Sequence, residues 1–86
     1  MKTVTTASGF QADIEESRLD DMELLDALVA IQKGNTSLLP EVVDKIMGGQ
    51  KIALYEHLRN SSGITPITAV MKAVFEIIDL IGGKNS

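Results

Sequence analysis

The chain has one histidine, His57, and no cysteine. His57 is the one side chain whose ordinary pKa lies near neutrality, so it is the first residue to weigh as a general acid or base. Its acidic neighbour Glu56 is one position away and projects from a different face of any helix through these residues. One histidine cannot build a zinc site alone, and the lack of cysteine excludes thiolate metal sites and disulfides. Gly48-Gly49 lacks the flanking strand and the Lys-Ser/Thr pair of a phosphate-binding loop. No calcium-loop pattern occurs. Asp20, Asp21 and Glu23 read as helix-capping residues, not as a buried carboxylate pair with separated pKa values. The residues therefore predict no catalytic, cofactor or metal site, and a protein that is not an enzyme.

Binding chemistry is the next class to weigh. A helix–Gly-Gly–helix between Ser37 and Asn60 has the outline of a helix-turn-helix, with Lys51, His57 and Arg59 on its second helix. DNA-binding domains carry a basic face. Here 12 acids against 8 bases give a net charge of −4 and a pI near 4.7. That balance disfavours nucleic acid and anionic membrane as partners. Seven of the acids fall between Asp13 and Asp26, opposed there by Arg18 alone. They read as a solvated strand end and helix start, or as an acidic patch for a basic partner. The N-terminus has no apolar segment like that of a signal peptide. The most apolar stretch, 67–81, is interrupted by Lys72, Glu76 and Asp79 and is too short to span a bilayer. These features predict a cytosolic protein.

The elements that would carry these residues form a single domain, 1–86. The fold class is α+β and mainly α: an N-terminal β-hairpin (1–16) on a bundle of about four short helices (20–82), with 83–86 as a flexible tail. Lys2–Thr6 is rich in Val and Thr, and Phe10, Ala12 and Ile14 alternate with Gln11, Asp13 and Glu15. A two-residue Ser8-Gly9 turn would put Val4 on the face opposite Phe10 and Ile14. A three-residue loop, Ala7-Ser8-Gly9, pairs Val4 with Ala12 and brings all the apolar residues to one face, with Gly9 left-handed. The first helix opens at an Asp cap with Glu23 three residues after Asp20. Met22, Leu25, Val29 and Leu24, Leu28, Ile31 form two adjacent apolar rows on it, and Gly34 stops it. The second helix opens at Thr36 or Ser37, holds Pro40 in its first turn, buries Leu39, Val42, Val43, Ile46 and Met47, and breaks at Gly48-Gly49. The third runs from Gln50 to Asn60, followed by a turn ending at Gly63. The fourth opens at Thr65, with Pro66 as its first helical residue, and ends at Gly82-Gly83.

The fourth helix concentrates the apolar content. Its charges, Lys72, Glu76 and Asp79, fall on one narrow stripe, and Val70, Met71, Val74, Phe75, Ile77, Ile78 and Ile81 occupy most of the rest. A helix so apolar is either surrounded by core or left partly open to a partner. A chain of 86 residues with 3% aromatic residues (Phe10, Tyr55 and Phe75) must build an aliphatic core. Domains this small bury only about 60–65% of the surface exposed in the unfolded chain. Val70, Val74, Phe75, Ile78 and Ile81 are therefore the candidate residues for self-association or partner binding.

The order of residues resembles the small tail assembly chaperones of long-tailed bacteriophages and prophages of Gram-positive bacteria. Thr5-Thr6-Ala7-Ser8-Gly9-Phe10 is similar to the family's opening hairpin. Leu19-Asp20-Asp21-Met22-Glu23-Leu24-Leu25 is similar to its Leu-Asp-Asp-aromatic-Glu-Leu-Leu helix, with Met22 where an aromatic residue is expected. Gly34-Asn35, Leu39-Pro40 and Met47-Gly48 fit the second helix and its stop. Tyr55-Glu56-His57-Leu58-Arg59-Asn60, then Gly63 and Thr65-Pro66, resembles the segment leading into the last helix. The resemblance implies a non-enzymatic protein that binds the tape measure protein and keeps it soluble while the tail tube assembles around it. The tail tube protein is implied as a further partner. It implies action in the cytoplasm of the bacterial host and absence from the mature virion. It also implies a longer product made by ribosomal frameshifting: Gly82-Gly83-Lys84 is compatible with a slippery codon run, and a helix-ending Gly-Gly explains the same residues. A structural tail or head-completion component and a small DNA-binding or transcription-regulating domain are the alternatives from other classes.

Overall fold

The chain begins with two antiparallel strands, β1 (Lys2–Thr5) and β2 (Gln11–Ile14). Their register sets Val4 against Ala12 and Thr5 against Gln11. Thr6 N–H donates to the Phe10 carbonyl at 2.9 Å and Gly9 N–H to the Thr6 carbonyl at 2.9 Å, which closes the three-residue loop Ala7–Gly9. Gly9 has φ +94°, the left-handed position that ends such a loop. Val4, Phe10, Ala12 and Ile14 are all buried on one face, as the alternation predicts. The computed structural model describes residues 1–83. Of the expected tail at 83–86, residues 84–86 lie outside that range.

A 3-10 turn, Glu16–Leu19, leads into α1 (Met22–Gln32). The cap of α1 is Asp21, one residue later than the expected Asp20: an Asp21 carboxylate oxygen accepts from Glu23 N–H at 2.9 Å and from Leu24 N–H at 3.3 Å. Asp20 is taken by the preceding turn, where its N–H donates to the Ser17 carbonyl at 3.2 Å. Gly34, with φ +108°, ends the helix as expected. A 3-10 turn at Thr36–Leu38 runs directly into α2 (Leu39–Met47), with Pro40 in its first turn. A second such turn, Gly48–Gln50, joins α2 to α3 (Lys51–Leu58) without a loop. Asn60 then folds the chain back: its side-chain oxygen accepts from Ser62 and Ile64 N–H at 2.9 and 3.1 Å. α4 (Ile67–Ile78) follows and unwinds into a wider π-type turn over Asp79–Gly83. Pro66 is extended, with ψ 138°, so it precedes the helix and is not its first residue.

The molecule is thus mainly helical, with an N-terminal hairpin, but the expectation of about four separate helices needs correction. Apart from the short 3-10 turn at 16–19, the helical residues among those described form three stretches, 22–32, 36–58 and 67–83, and the middle one bends sharply at Gly48. The physical reason is local. Gly48 adopts φ 56°, ψ −124°, a conformation closed to most side chains, and the helix restarts within one turn. The Arg18 guanidinium lies 3.6 Å from where a Gly48 Cβ would stand.

One hydrophobic cluster joins hairpin and helices. Ile14, Leu24, Val42, Val43, Ile46, Leu54, Val74 and Ile77 are its largest fully buried side chains, so the core is aliphatic, as the composition requires. Polar contacts fasten the hairpin to the helices. Ala7 N–H donates to the Glu76 carboxylate at 2.6 Å. The Gln50 side chain bridges both backbone groups of Asp13, at 2.9 and 2.8 Å. The charged stripe of α4 is therefore not wholly solvated, since Glu76 is half-buried under the hairpin loop.

Candidate functional site

His57, Lys45 and Lys51 each have a structural partner. His57 Nε2 sits 3.0 Å from the Ser8 carbonyl, and its ring packs against Phe10 with centroids 5.4 Å apart. It clamps α3 to the hairpin loop, a role invisible in the sequence because the two residues are 49 positions apart. Lys51 is held by Asp44 at 3.0 Å, and Lys45 by Asp21 at 3.0 Å. Each hydrogen-bonded carboxylate raises the lysine's pKa above its ordinary value, and Lys45 holds the Asp21 carboxyl below its own. Among the described residues no group of three His, Asp or Glu side chains is placed to hold a metal ion.

Of the five candidate partner residues, Val70, Val74 and Ile81 are buried at 4%, 1% and 6% exposure. Phe75 and Ile78 are half-buried and pack against the same cluster. α4 buries Val70, Ala73, Val74 and Ile77 in the shared hydrophobic cluster, with α3 packed beside it. These five residues therefore form no open patch in the folded chain, and three of them are core.

Open apolar surface lies elsewhere. A groove of about 430 Å³ runs between the start of α2, the side of α3 and the first turns of α4. Leu39, Pro40, Tyr55, Ile67 and Val70 supply its apolar lining. Thr65 braces one wall, its hydroxyl donating to the Tyr55 carbonyl at 2.9 Å. Ile67 is 59% exposed and stands at the rim, whereas Val70 forms part of the floor. Val70 is the one candidate partner residue that reaches this groove.

The second open area is on α1. Its two apolar rows have opposite fates. Leu24, Ala27 and Ile31 are buried and Leu28 is half-buried against the core. Met22, Leu25 and Val29 remain 66%, 50% and 40% exposed. The sequence marked both rows as apolar but carried no signal to say which one faces the core.

No family model, curated protein or solved structure matches the chain.

Proposed function

We propose that the protein is a tail assembly chaperone of a long-tailed bacteriophage or prophage, which holds the tape measure protein soluble while the tail tube assembles. The observation that carries the reading is the open apolar groove at Tyr55, Ile67 and Val70. A helix-holding protein needs apolar surface to offer a client helix in place of water, and a groove of about 430 Å³ accommodates one or two bulky apolar side chains. The residue order from Thr5 to Pro66 supports the same reading through its resemblance to these chaperones. The chaperone acts in the host cytoplasm, leaves before the virion is complete and performs no chemistry. The tail tube protein is its second contact.

Co-expression with the tape measure protein tests the proposal. The expected outcome is a soluble complex that elutes as one peak on size exclusion. A client that stays in the pellet with and without this protein contradicts it.

A further inference from the structure

The hairpin is a two-stranded sheet, so each strand has one edge that its neighbour does not pair. The register fixes which backbone groups lie there. Thr6 N–H donates to the Phe10 carbonyl, and hydrogen-bonded pairs alternate along an antiparallel ladder. Val4 with Ala12 and Lys2 with Ile14 are therefore the pairs bonded within the hairpin. Thr3, Thr5, Gln11 and Asp13 turn their N–H and C=O groups outward. Asp13 fits this parity, since the Gln50 side chain bonds both its backbone groups from outside the sheet. The two edges thus differ. β2 is covered at Asp13, whereas among the described residues nothing bonds the N–H or C=O of Thr3 or Thr5. Both threonines are exposed. Proteins guard open edges with charge, proline or a bulge, and Thr3-Val4-Thr5 has none of these. Lys2 lies on the core side with Val4, and its ammonium donates to the Ile81 carbonyl at 3.4 Å.

We propose that the β1 edge pairs antiparallel with the β1 edge of a second copy of this chain, making a four-stranded sheet. A row of backbone donors and acceptors is matched by another extended strand, and β1 complements itself in one register. Outward groups must meet outward groups, so the strands shift only in steps of two residues. A two-fold axis beside Val4 sets Thr3 against the partner's Thr5 and Thr5 against the partner's Thr3. Both pairs then exchange hydrogen bonds, and Thr across from Thr is a favourable pair. Lys2 faces the partner's Thr6, which keeps the two lysines about 13 Å apart along the strands. Moving the axis to Thr3 or to Thr5 pushes the outer pair off the strand, onto Met1 or into the loop at Ala7. The strand has four residues, so the contact falls below the roughly 1,200 Å² of a standard interface. The dimer is correspondingly weak, with a dissociation constant of about 0.1–1 mM. This inference is independent of the chaperone reading.

Amide hydrogen exchange followed by NMR on the full chain reads the edge directly, with sedimentation velocity beside it. Between about 20 μM and 1 mM, exchange at Thr3 and Thr5 is expected to slow about twofold or more, while Gln11 on the other edge does not change. Thr5→Pro removes an outward N–H that the hairpin does not use. It is expected to weaken the dimer at least about tenfold, because the two-fold axis doubles each lost hydrogen bond, with the circular dichroism spectrum unchanged. Gln11→Pro is the matching change on the other edge and is expected to leave the dimer intact. A charge pair reads the register without proline. Thr3→Lys with Thr5→Glu sets opposite charges face to face and is expected to tighten the dimer about threefold. Thr3→Lys with Thr5→Lys sets like charges face to face and is expected to weaken it about threefold. If Thr5→Pro fails to fold, the charge pair decides alone. A chain that is monomeric at 1 mM, a dimer that survives a folded Thr5→Pro, or a Lys/Glu variant no tighter than the Lys/Lys variant overturns the proposal. So does protection of Thr3 and Thr5 that comes only with added tape measure protein, because the edge then takes a client strand.

Discussion

Lys45 Nζ lies 3.0 Å from one carboxylate oxygen of Asp21, while the other oxygen of Asp21 accepts from Glu23 and Leu24 N–H in the first turn of α1. A single side chain thus starts one helix and ties it to the next. The two roles separate by substitution. Asn keeps an acceptor oxygen for the cap and loses the ion pair; Ala loses both. Thermal unfolding is expected to rank wild type above Asp21→Asn and Asp21→Asn above Asp21→Ala. Equal melting temperatures for the two variants would show that the cap contributes nothing.

The same pair sets a pH dependence. The folded pKa of Asp21 is lowered, chiefly by the Lys45 hydrogen bond. Its contribution is therefore full above the ordinary carboxylate value of about 3.9 and is lost as pH falls through the lower folded value. The folded pKa of Lys45 is raised by Asp21, so its contribution is full below about 10.4 and is lost as pH rises through the higher folded value. Urea midpoints measured across pH are expected to show a smaller acid-side loss in Asp21→Asn than in wild type. Identical acid limbs would refute the assignment.

Ile77 and Val74 are 0% and 1% exposed, on the face of α4 turned to the core. Ile77→Ala is expected to cost about 2–5 kcal/mol, a large share of a small domain's stability. Val74→Asp buries an unpaired carboxylate and is expected to prevent folding. Urea denaturation followed by circular dichroism measures both. A loss under about 1 kcal/mol for Ile77→Ala, the range of mild core changes, would mean that this face of α4 is not core.

Gly48 carries the bend between α2 and α3 at φ 56°, with Arg18 against it. Gly48→Ala is expected to cost about 1–3 kcal/mol from its sparsely populated backbone conformation, whereas Gly49→Ala meets nothing within 4 Å and is expected to be nearly neutral. Comparing the two urea midpoints checks the bend.

The parts of this fold legible in the sequence are those with one period and one apolar face. The hairpin register followed because only a three-residue loop puts Val4, Ala12 and Phe10 together. The α2 stripe from Leu39 to Met47 is buried as its spacing predicts. Where two arcs of one helix are both apolar, periodicity is silent. On α1 it could not choose between the Leu24 and Leu25 rows, and on α4 it could not say that Val70, Val74 and Ile81 face inward. The cap slipped by one because Asp20 and Asp21 are chemically alike, and only the Ser17 contact assigns Asp20 to the earlier turn. The groove was illegible for a different reason: Leu39, Tyr55 and Ile67 come from three helices, and their meeting is a property of packing.

The central claim is that open apolar surface on this domain holds a helical client in solution. The measurement that tests it most directly is the soluble fraction of co-expressed tape measure protein with wild type and with Ile67→Asp. Ile67 is 59% exposed, so the variant is expected to fold with an unchanged circular dichroism spectrum. The account predicts that the client is soluble with wild type and moves to the pellet with Ile67→Asp. A client that stays equally soluble with the folded variant would contradict it.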